Sequence, residues 1–217
     1  MYNVAFIPVR AGSKSIKNKN ITLVNNKPLI YWTVSVANNS NLDKVFVSTD
    51  SDEIKSVVES FGLEKVEVIG RSKESSSDNA TSETALIEFA QNYEFDNVVF
   101  MQATSPLTQT SDINGALKKF LNSDKKSLIS TIKRHQFLWD TKGTPMNYDP
   151  NKRPRRQEWD GYYIENGAFY ISSRKEILRT GCRITPPVEY WEMSEQNIFE
   201  IDEPKDIEII EKLFPLK

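Results

Sequence analysis

Between residues 10 and 20 the chain gathers Arg10, Gly12, Ser13, Lys14, Lys17, Lys19 and Asn20 into one short stretch, RAGSKSIKNKN. A glycine lets backbone come close to a ligand, hydroxyls and amides donate hydrogen bonds, and lysine and arginine bring positive charge. Placed beyond the end of a strand, such groups describe a polyphosphate cradle; by composition alone they equally describe a solvated basic turn. Two familiar phosphate loops are excluded. Gly12-Ser13-Lys14-Ser15 is not the Gly-Lys-Ser/Thr order of a Walker loop, and the dinucleotide fingerprint needs three glycines where this loop has one.

Further polar sets fall at expected strand ends: Arg71 with residues 78–82, Gln102 with Thr104 and Ser105, and Glu200 with Asp202. Residues two apart in an extended segment face the same way, so Glu200 and Asp202 can converge on one point. Beside a polyphosphate loop that pair suits Mg²⁺, with Mn²⁺ as the alternative, because Mg²⁺ takes few protein carboxylates and completes its shell with phosphate oxygens. Asp202 before Glu203-Pro204 also reads as a helix N-cap. Arg153, Arg155 and Arg156 form a second basic cluster, which as a bare charge run reads as a solvated turn.

The elements that must carry these residues alternate. Val4-Ala5-Phe6-Ile7-Pro8-Val9 reads as a buried first strand, and a helix follows Pro28 with Leu29, Trp32, Thr33 and Val36 on one face. A strand over 44–50 leads to a helix capped by Asp50 or Ser51 and stopped at Gly62. Residues 67–69 form a short strand, 71–82 a polar loop in which Ser75 to Ser77 read as a flexible connector, and 83–93 a helix capped by Thr81 or Ser82. Strand 97–101, helix 112–121 and a strand near 128–132 continue the rhythm. Strand 167–171, a Ser173…Glu176 capping box, a last strand over 197–202 and a helix carrying Ile207, Ile210 and Leu213 close it. Such alternation predicts an α/β fold with a mostly parallel central sheet flanked by helices. Residues 133–160 have no period, are rich in arginine, tryptophan and proline, and are too long for a plain connection; they read as an active-site flap or an oligomer arm. The expectation is one domain over 1–217 with an excursion at 133–160.

Bulk composition narrows the class. A net charge of −2 argues against nucleic acid or an anionic membrane as a general partner. Cys182 is the only cysteine, so no internal disulfide forms, and His135 is the only histidine, which argues against a His-rich metal site or a Ser-His-Asp triad. No stretch has the apolar run of a signal peptide or a membrane span, and the chain is expected to be cytoplasmic.

Taken in order, these segments resemble the acylneuraminate cytidylyltransferase family over residues 4 to about 212. Ile7-Pro8-Val9-Arg10-Ala11-Gly12-Ser13-Lys14 with Lys19-Asn20 is similar to that family's I-P-A-R-G-G-S-K…K-N. Val47-Ser48-Thr49-Asp50, Gln102-Ala103-Thr104-Ser105-Pro106-Leu107 and Asn166-Gly167-Ala168-Phe169-Tyr170 follow in the family's order. The resemblance implies a Rossmann-like nucleotidyltransferase fold and a homodimer whose exchanged arm corresponds to 133–160. It implies transfer of CMP from CTP to the anomeric hydroxyl of a nonulosonic, sialic-type 3-deoxy-2-keto sugar acid, releasing pyrophosphate. Arg10, Gly12, Ser13, Lys14, Lys19 and Asn20 would hold the triphosphate and ribose, and Arg71, Ala80 and Ser82 the cytosine. Gln102, Arg156, Asn166 and Tyr170 would line the sugar-acid pocket. Asp202, with Glu200, would bind the metal; Arg10, Lys14, Lys19 and Asp202 would be the groups that catalyse.

Three departures from the family pattern bear on the substrate. Glu200-Ile201-Asp202 stands where the sialate enzymes usually have Asp-x-Asp, and Arg183-Ile184 where they often place aromatics. Gln102-Ala103-Thr104-Ser105-Pro106 differs from the Gln-Gly-Asp-Glu-Pro of the KDO branch. The alternatives are therefore the same reaction on legionaminate, pseudaminate or KDO, or a non-catalytic protein that binds CTP or a CMP-sugar.

Overall fold

A computed structural model describes residues 1–13, 15–77 and 80–214. Lys14, on which a triphosphate contact was expected, lies outside the described residues, as do Asp78 and Asn79 of the 78–82 stretch. Strand β1 (Asn3–Pro8) is followed by the small hairpin β2 (Leu23–Val24) and β3 (Lys27–Pro28), then by α1 (Leu29–Asn38). Next come β4 (Lys44–Ser48), α2 (Asp52–Glu59), β5 (Val66–Ile69), α3 (Lys73–Ser76), α4 (Ser82–Asn92) and β6 (Asn97–Met101). The second half holds α5 (Thr110–Leu121), β7 (Ser127–Arg134), β8 (Tyr162–Ser173), α6 (Arg174–Thr180), β9 (Val188–Glu192) and α7 (Pro204–Leu213).

Seven strands form one sheet in the order β5-β4-β1-β6-β8-β7-β9. Only β8 runs against its neighbours; β5, β4, β1 and β6 pair in parallel, and β9 is parallel to β7. The expected mostly parallel sheet is therefore present. Its first strand explains why the apolar run is continuous rather than alternating. Ala5, Ile7 and Val9 pack into the core on one face, Val4 and Phe6 into the core on the other, so both sides of the pleat are dry. Strand order reverses at β1/β6, with β4 on one side and the later strands on the other, which opens a crevice beyond their carboxyl ends.

Several expected elements take a different form. Residues 197–202 are not a strand: a 3₁₀ turn covers Glu195–Ile198 and the chain then runs extended into α7. The last strand is β9, and its alternating Val-Glu-Tyr-Trp-Glu is too short and polar to stand out in sequence. Ser75 to Ser77, read as a flexible connector, belong instead to the short helix α3 and its end. Ser72 caps α3, Ser75 is fully buried, and the Arg71 guanidinium donates to the Ser75 carbonyl. The Ser173 cap is half a box: Ser173 Oγ accepts from Glu176 N–H, but the Glu176 carboxylate is taken by Arg179. On α1 the buried face is Leu29, Ile30, Thr33, Val34 and Ala37, leaving Trp32 and Val36 only half-buried. The excursion is the long connection between antiparallel β7 and β8. It is closed by an aromatic cluster in which Phe137 stacks on Trp159 (4.9 Å) and Arg153 lies 4.3 Å above Phe137.

Candidate active site

Three local devices bring the distant polar residues together. The first is a small core of Ile16, Val24, Leu29, Leu107, Ile201 and Ile210, which ties the 10–20 loop to the start of α7. Ile201 is fully buried there and its N–H donates to the Thr104 carbonyl (2.8 Å). With Ile201 turned inward, Glu200 and Asp202 turn the other way and both line one cavity. The convergence expected from the spacing is present, but an anchored extended segment produces it, not a strand. The N-cap reading of Asp202 fails. Glu203 caps α7, and the Asp206 carboxylate accepts from the N–H groups of Asp202 and Glu203, leaving the Asp202 carboxylate to meet Lys19.

The second device is the 10–20 loop itself. Ala11 N–H donates to Asp50 Oδ1 (2.8 Å) at the end of β4, and the Asn20 amide donates to the Arg10 carbonyl (3.1 Å). Gly12 turns with φ +74°, a conformation that glycine adopts without strain, and the space where a Cβ would sit is open. Asn18, at φ 53°, supplies the second left-handed residue before the turn Lys19–Ile21. Arg10 Nη1 donates to the Ser77 carbonyl (3.1 Å), so Arg10 and Arg71 hold the 72–77 segment from two sides. Burial lowers the Arg71 pKa, Asp50 and Glu88 oppose that shift, and nearby Arg10 adds to it. Arg71 nonetheless stays a cation.

The third device is an irregularity in β8. Ile129 pairs with Tyr170, and Thr131 with Glu165: two steps along β7 against five along β8. The surplus backbone bulges at Asn166-Gly167, with Gly167 at φ +72°, and turns that segment into the crevice. The bulge lets the Tyr170 hydroxyl donate to Glu165 Oε1 (2.5 Å) across five residues. Burial first, then the Glu165 hydrogen bond, push the Tyr170 hydroxyl above its ordinary value, so it remains a donor.

The resulting cavity, of about 490 Å³, is lined by Lys19, Gln102, Glu165, Tyr170, Glu200 and Asp202, together with Thr104 and Asn166. Lys19 Nζ sits 3.1 Å from Asp202 Oδ1 and 3.0 Å from the Ile201 carbonyl. A smaller cleft of about 60 Å³, lined by Arg10, Gly12, Ser13 and Asn20, adjoins it and shares Lys19 as a wall. Among the expected sugar-pocket residues, Gln102, Asn166 and Tyr170 are brought together. Asn166 serves chiefly as scaffold, its buried amide donating to the Asn197 carbonyl (3.0 Å). Arg156 is not among them in this chain. It lines a separate hollow with Arg134, His135 and Glu195 on the β7–β8 connection. Ala80 bonds back to Ser77, and Ser82 begins α4, whose cap is Thr81. Thr104, expected beside Gln102 at a strand end, lines the cavity, whereas Glu165 was not anticipated. Glu165 had only its place beside Asn166-Gly167 as a signal, and it joins the site through the bulge.

The carboxylates determine what the cavity can hold. Glu165, Glu200 and Asp202 face a single lysine. Burial, then the neighbouring Asp202 charge, raise the Glu200 pKa, with Lys19 opposing. Such crowding is relieved by a cation. Among the described residues no three His, Cys, Asp or Glu side chains group to hold a metal. The pair Glu200 and Asp202 therefore fits an ion that draws the rest of its shell from phosphate and water, as Mg²⁺ does.

Residues 4–217 match the model of the cytidylyltransferase family. N-acylneuraminate cytidylyltransferase B of Danio rerio is 36% identical over 97% of this chain and 51% of its own length. A pseudaminic acid cytidylyltransferase of Campylobacter jejuni is 30% identical over 99% of this chain and 97% of its own. The chain thus spans about half the length of the fish relative and nearly all of the bacterial one. A structure of CMP:2-keto-3-deoxy-manno-octonic acid synthetase complexed with CTP superposes over 98% of both chains, with a TM-score of 0.74 at 18% identity. The likeness identifies the fold as the Rossmann-like nucleotidyltransferase type. By the match of its sequence over nearly its whole length, the chain belongs to the cytidylyltransferase family.

Proposed function

We propose that this chain transfers CMP from CTP to the anomeric hydroxyl of a nonulosonic acid and releases pyrophosphate. One observation carries the reading: a cleft lined by Arg10, Gly12, Ser13 and Asn20, with Glu53 at its edge, and a larger polar cavity share Lys19 as a wall. The sugar hydroxyl attacks the α-phosphorus in line with the departing pyrophosphate, a reaction that asks the protein mainly for positioning and charge neutralisation. Arg10, Gly12, Ser13 and Asn20 bind the triphosphate and ribose, with Lys14 completing the set. Arg71, Ala80 and Ser82 surround the base. Lys19, between the two spaces, stays beside the reacting phosphate, and Gln102 and Tyr170 orient the sugar acid. Glu200 and Asp202 would hold Mg²⁺, which when bound neutralises charge on the phosphate oxygens.

Arg156 belongs to this reading through a homodimer, in which the arm of one copy brings Arg155 and Arg156 to the sugar-acid carboxylate of the other. Higher identity to the N-acylneuraminate enzyme than to the pseudaminate enzyme supports a sialic-type acid as substrate. No helix among the described residues is long and apolar enough to cross a membrane, and we place the reaction in the cytoplasm, where CTP is made.

The test is pyrophosphate release from CTP with Mg²⁺ and a panel of a sialic acid, legionaminate, pseudaminate and KDO. Release with the sialic acid in preference to the others is expected. CTP binding without release on any of the four would show a non-catalytic nucleotide-binding protein.

A further inference from the structure

Against Tyr170, which lines the cavity, lies a cation that the reaction as described does not use. Arg183 follows Gly181, the left-handed residue that ends α6, and its side chain is only 17% exposed. The guanidinium donates through Nε to Glu83 Oε1 (2.5 Å) and through Nη2 to Glu83 Oε2 (3.0 Å), a two-pronged pair. Glu83 stands in the first turn of α4, where a carboxylate also meets the positive end of the helix dipole. From that clamp the guanidinium carbon lies 4.9 Å from the ring centroids of both Tyr170 and Phe100. The two rings sit edge to face, 6.1 Å apart.

The chain of contacts continues into the cavity. Tyr170 is gripped by Arg183 on its ring and by Glu165 on its hydroxyl, and both Tyr170 and Glu165 line the cavity. An ionised carboxylate only accepts hydrogen bonds, so Glu165, with one oxygen engaged by Tyr170, still has acceptor capacity for the hydroxyls of a sugar. Its place depends on Tyr170, and that of Tyr170 on the guanidinium behind it. At the other end, Glu83 adjoins Ser82 and the loop assigned to the base.

We propose that Arg183 is a positioning residue for the sugar acid, acting through Tyr170 and Glu165, clamped by Glu83 at the head of α4. The proposal rests on the reading of the cavity as a sugar-acid pocket. A planar cation held by a fork and lying against two rings fixes the ring plane in a way that lysine cannot reproduce in full. A purely structural clamp would alter stability and both substrates alike; a positioning role acts on one substrate.

The experiment uses the full chain with Arg183→Met, which keeps length and apolar bulk, and with Arg183→Lys and Glu83→Gln as milder changes should the first fail to fold. Pyrophosphate release is measured against each substrate in turn, and tyrosine Cζ resonances are followed by ¹³C NMR, with Tyr170→Phe assigning the signal. Arg183→Met is expected to raise the sugar-acid KM about tenfold while the CTP KM stays within twofold, Arg183→Lys to fall between it and the wild type, and the Tyr170 signal to move. Unchanged KM values in a folded variant, or equal rises in both, overturn the proposal. If the wild type releases no pyrophosphate on any sugar acid, the functional reading fails on its own. The Tyr170 signal then decides the inference, and an unmoved signal in Arg183→Met refutes it.

Discussion

Gly167→Ala separates the backbone demand of the β8 bulge from its role in shaping the cavity. The residue sits at φ +72°, and an added Cβ would lie 3.3 Å from Gln102 Nε2 and 3.8 Å from Glu200 Oε2. A left-handed L-residue costs about 1–2 kcal/mol, while alanine stiffens the unfolded chain and offsets about 0.4–1 kcal/mol of that. The net loss of about 1 kcal/mol lowers Tm by about 2–4 °C in a chain of this size. The contact also pushes the Gln102 amide by a few tenths of an ångström. One weakened hydrogen bond to substrate, about 1 kcal/mol, raises the sugar-acid KM about fivefold. Gly62→Ala is the control, because Gly62 has φ +62° with nothing within 4 Å of the added Cβ. It should show a similar Tm loss and no change in KM. Thermal melts and pyrophosphate-release kinetics on the two variants decide the matter. If Gly167→Ala raises the sugar-acid KM no more than Gly62→Ala does, the reasoning about the cavity is wrong.

Asp202→Asn should reduce Mg²⁺-dependent turnover by at least about a hundredfold; if Glu200→Gln alone has that effect, the two carboxylates have been assigned in the wrong order. Lys14→Ala should lower turnover by about the same factor through loss of a charge-assisted phosphate contact, and near-normal turnover at saturating CTP would remove Lys14 from the site. Light scattering at micromolar concentration should give a dimer mass, while a monomer would count against the β7–β8 connection as an oligomer arm. Burial alone would raise the Glu83 carboxyl, but the Arg183 hydrogen bonds and charge outweigh it and hold it below its ordinary 4.5. A depressed carboxyl stabilises the fold above its unfolded pKa and loses that contribution as pH falls through the folded one. The wild type should therefore lose more Tm than Glu83→Gln as pH falls below the ordinary carboxyl range, and parallel curves would mean that the pair adds nothing.

Much of the fold was legible because period and punctuation are local properties. The continuous apolar run at 4–9 reads as a strand dry on both faces, and the resemblance to the family rests on short motifs in order. The polar character of the 10–20 loop and the pairing of Glu200 with Asp202 were likewise evident from residue type and spacing. What remained hidden depends on contacts between segments far apart in the chain. Asp202 looks like a cap until Asp206 is seen to take the backbone N–H groups at the head of α7. Glu165 is unremarkable until a bulge, set by pairing with β7, folds it back onto Tyr170. Arg183 meets Glu83 across a hundred residues, and no local pattern encodes such a meeting. Sequence alone determined which chemical groups were available and which segments would carry them. The tertiary structure decided which of those groups face one another, because a side chain's partners follow from strand order, register and the burial of its neighbours, none of which is a property of a single segment.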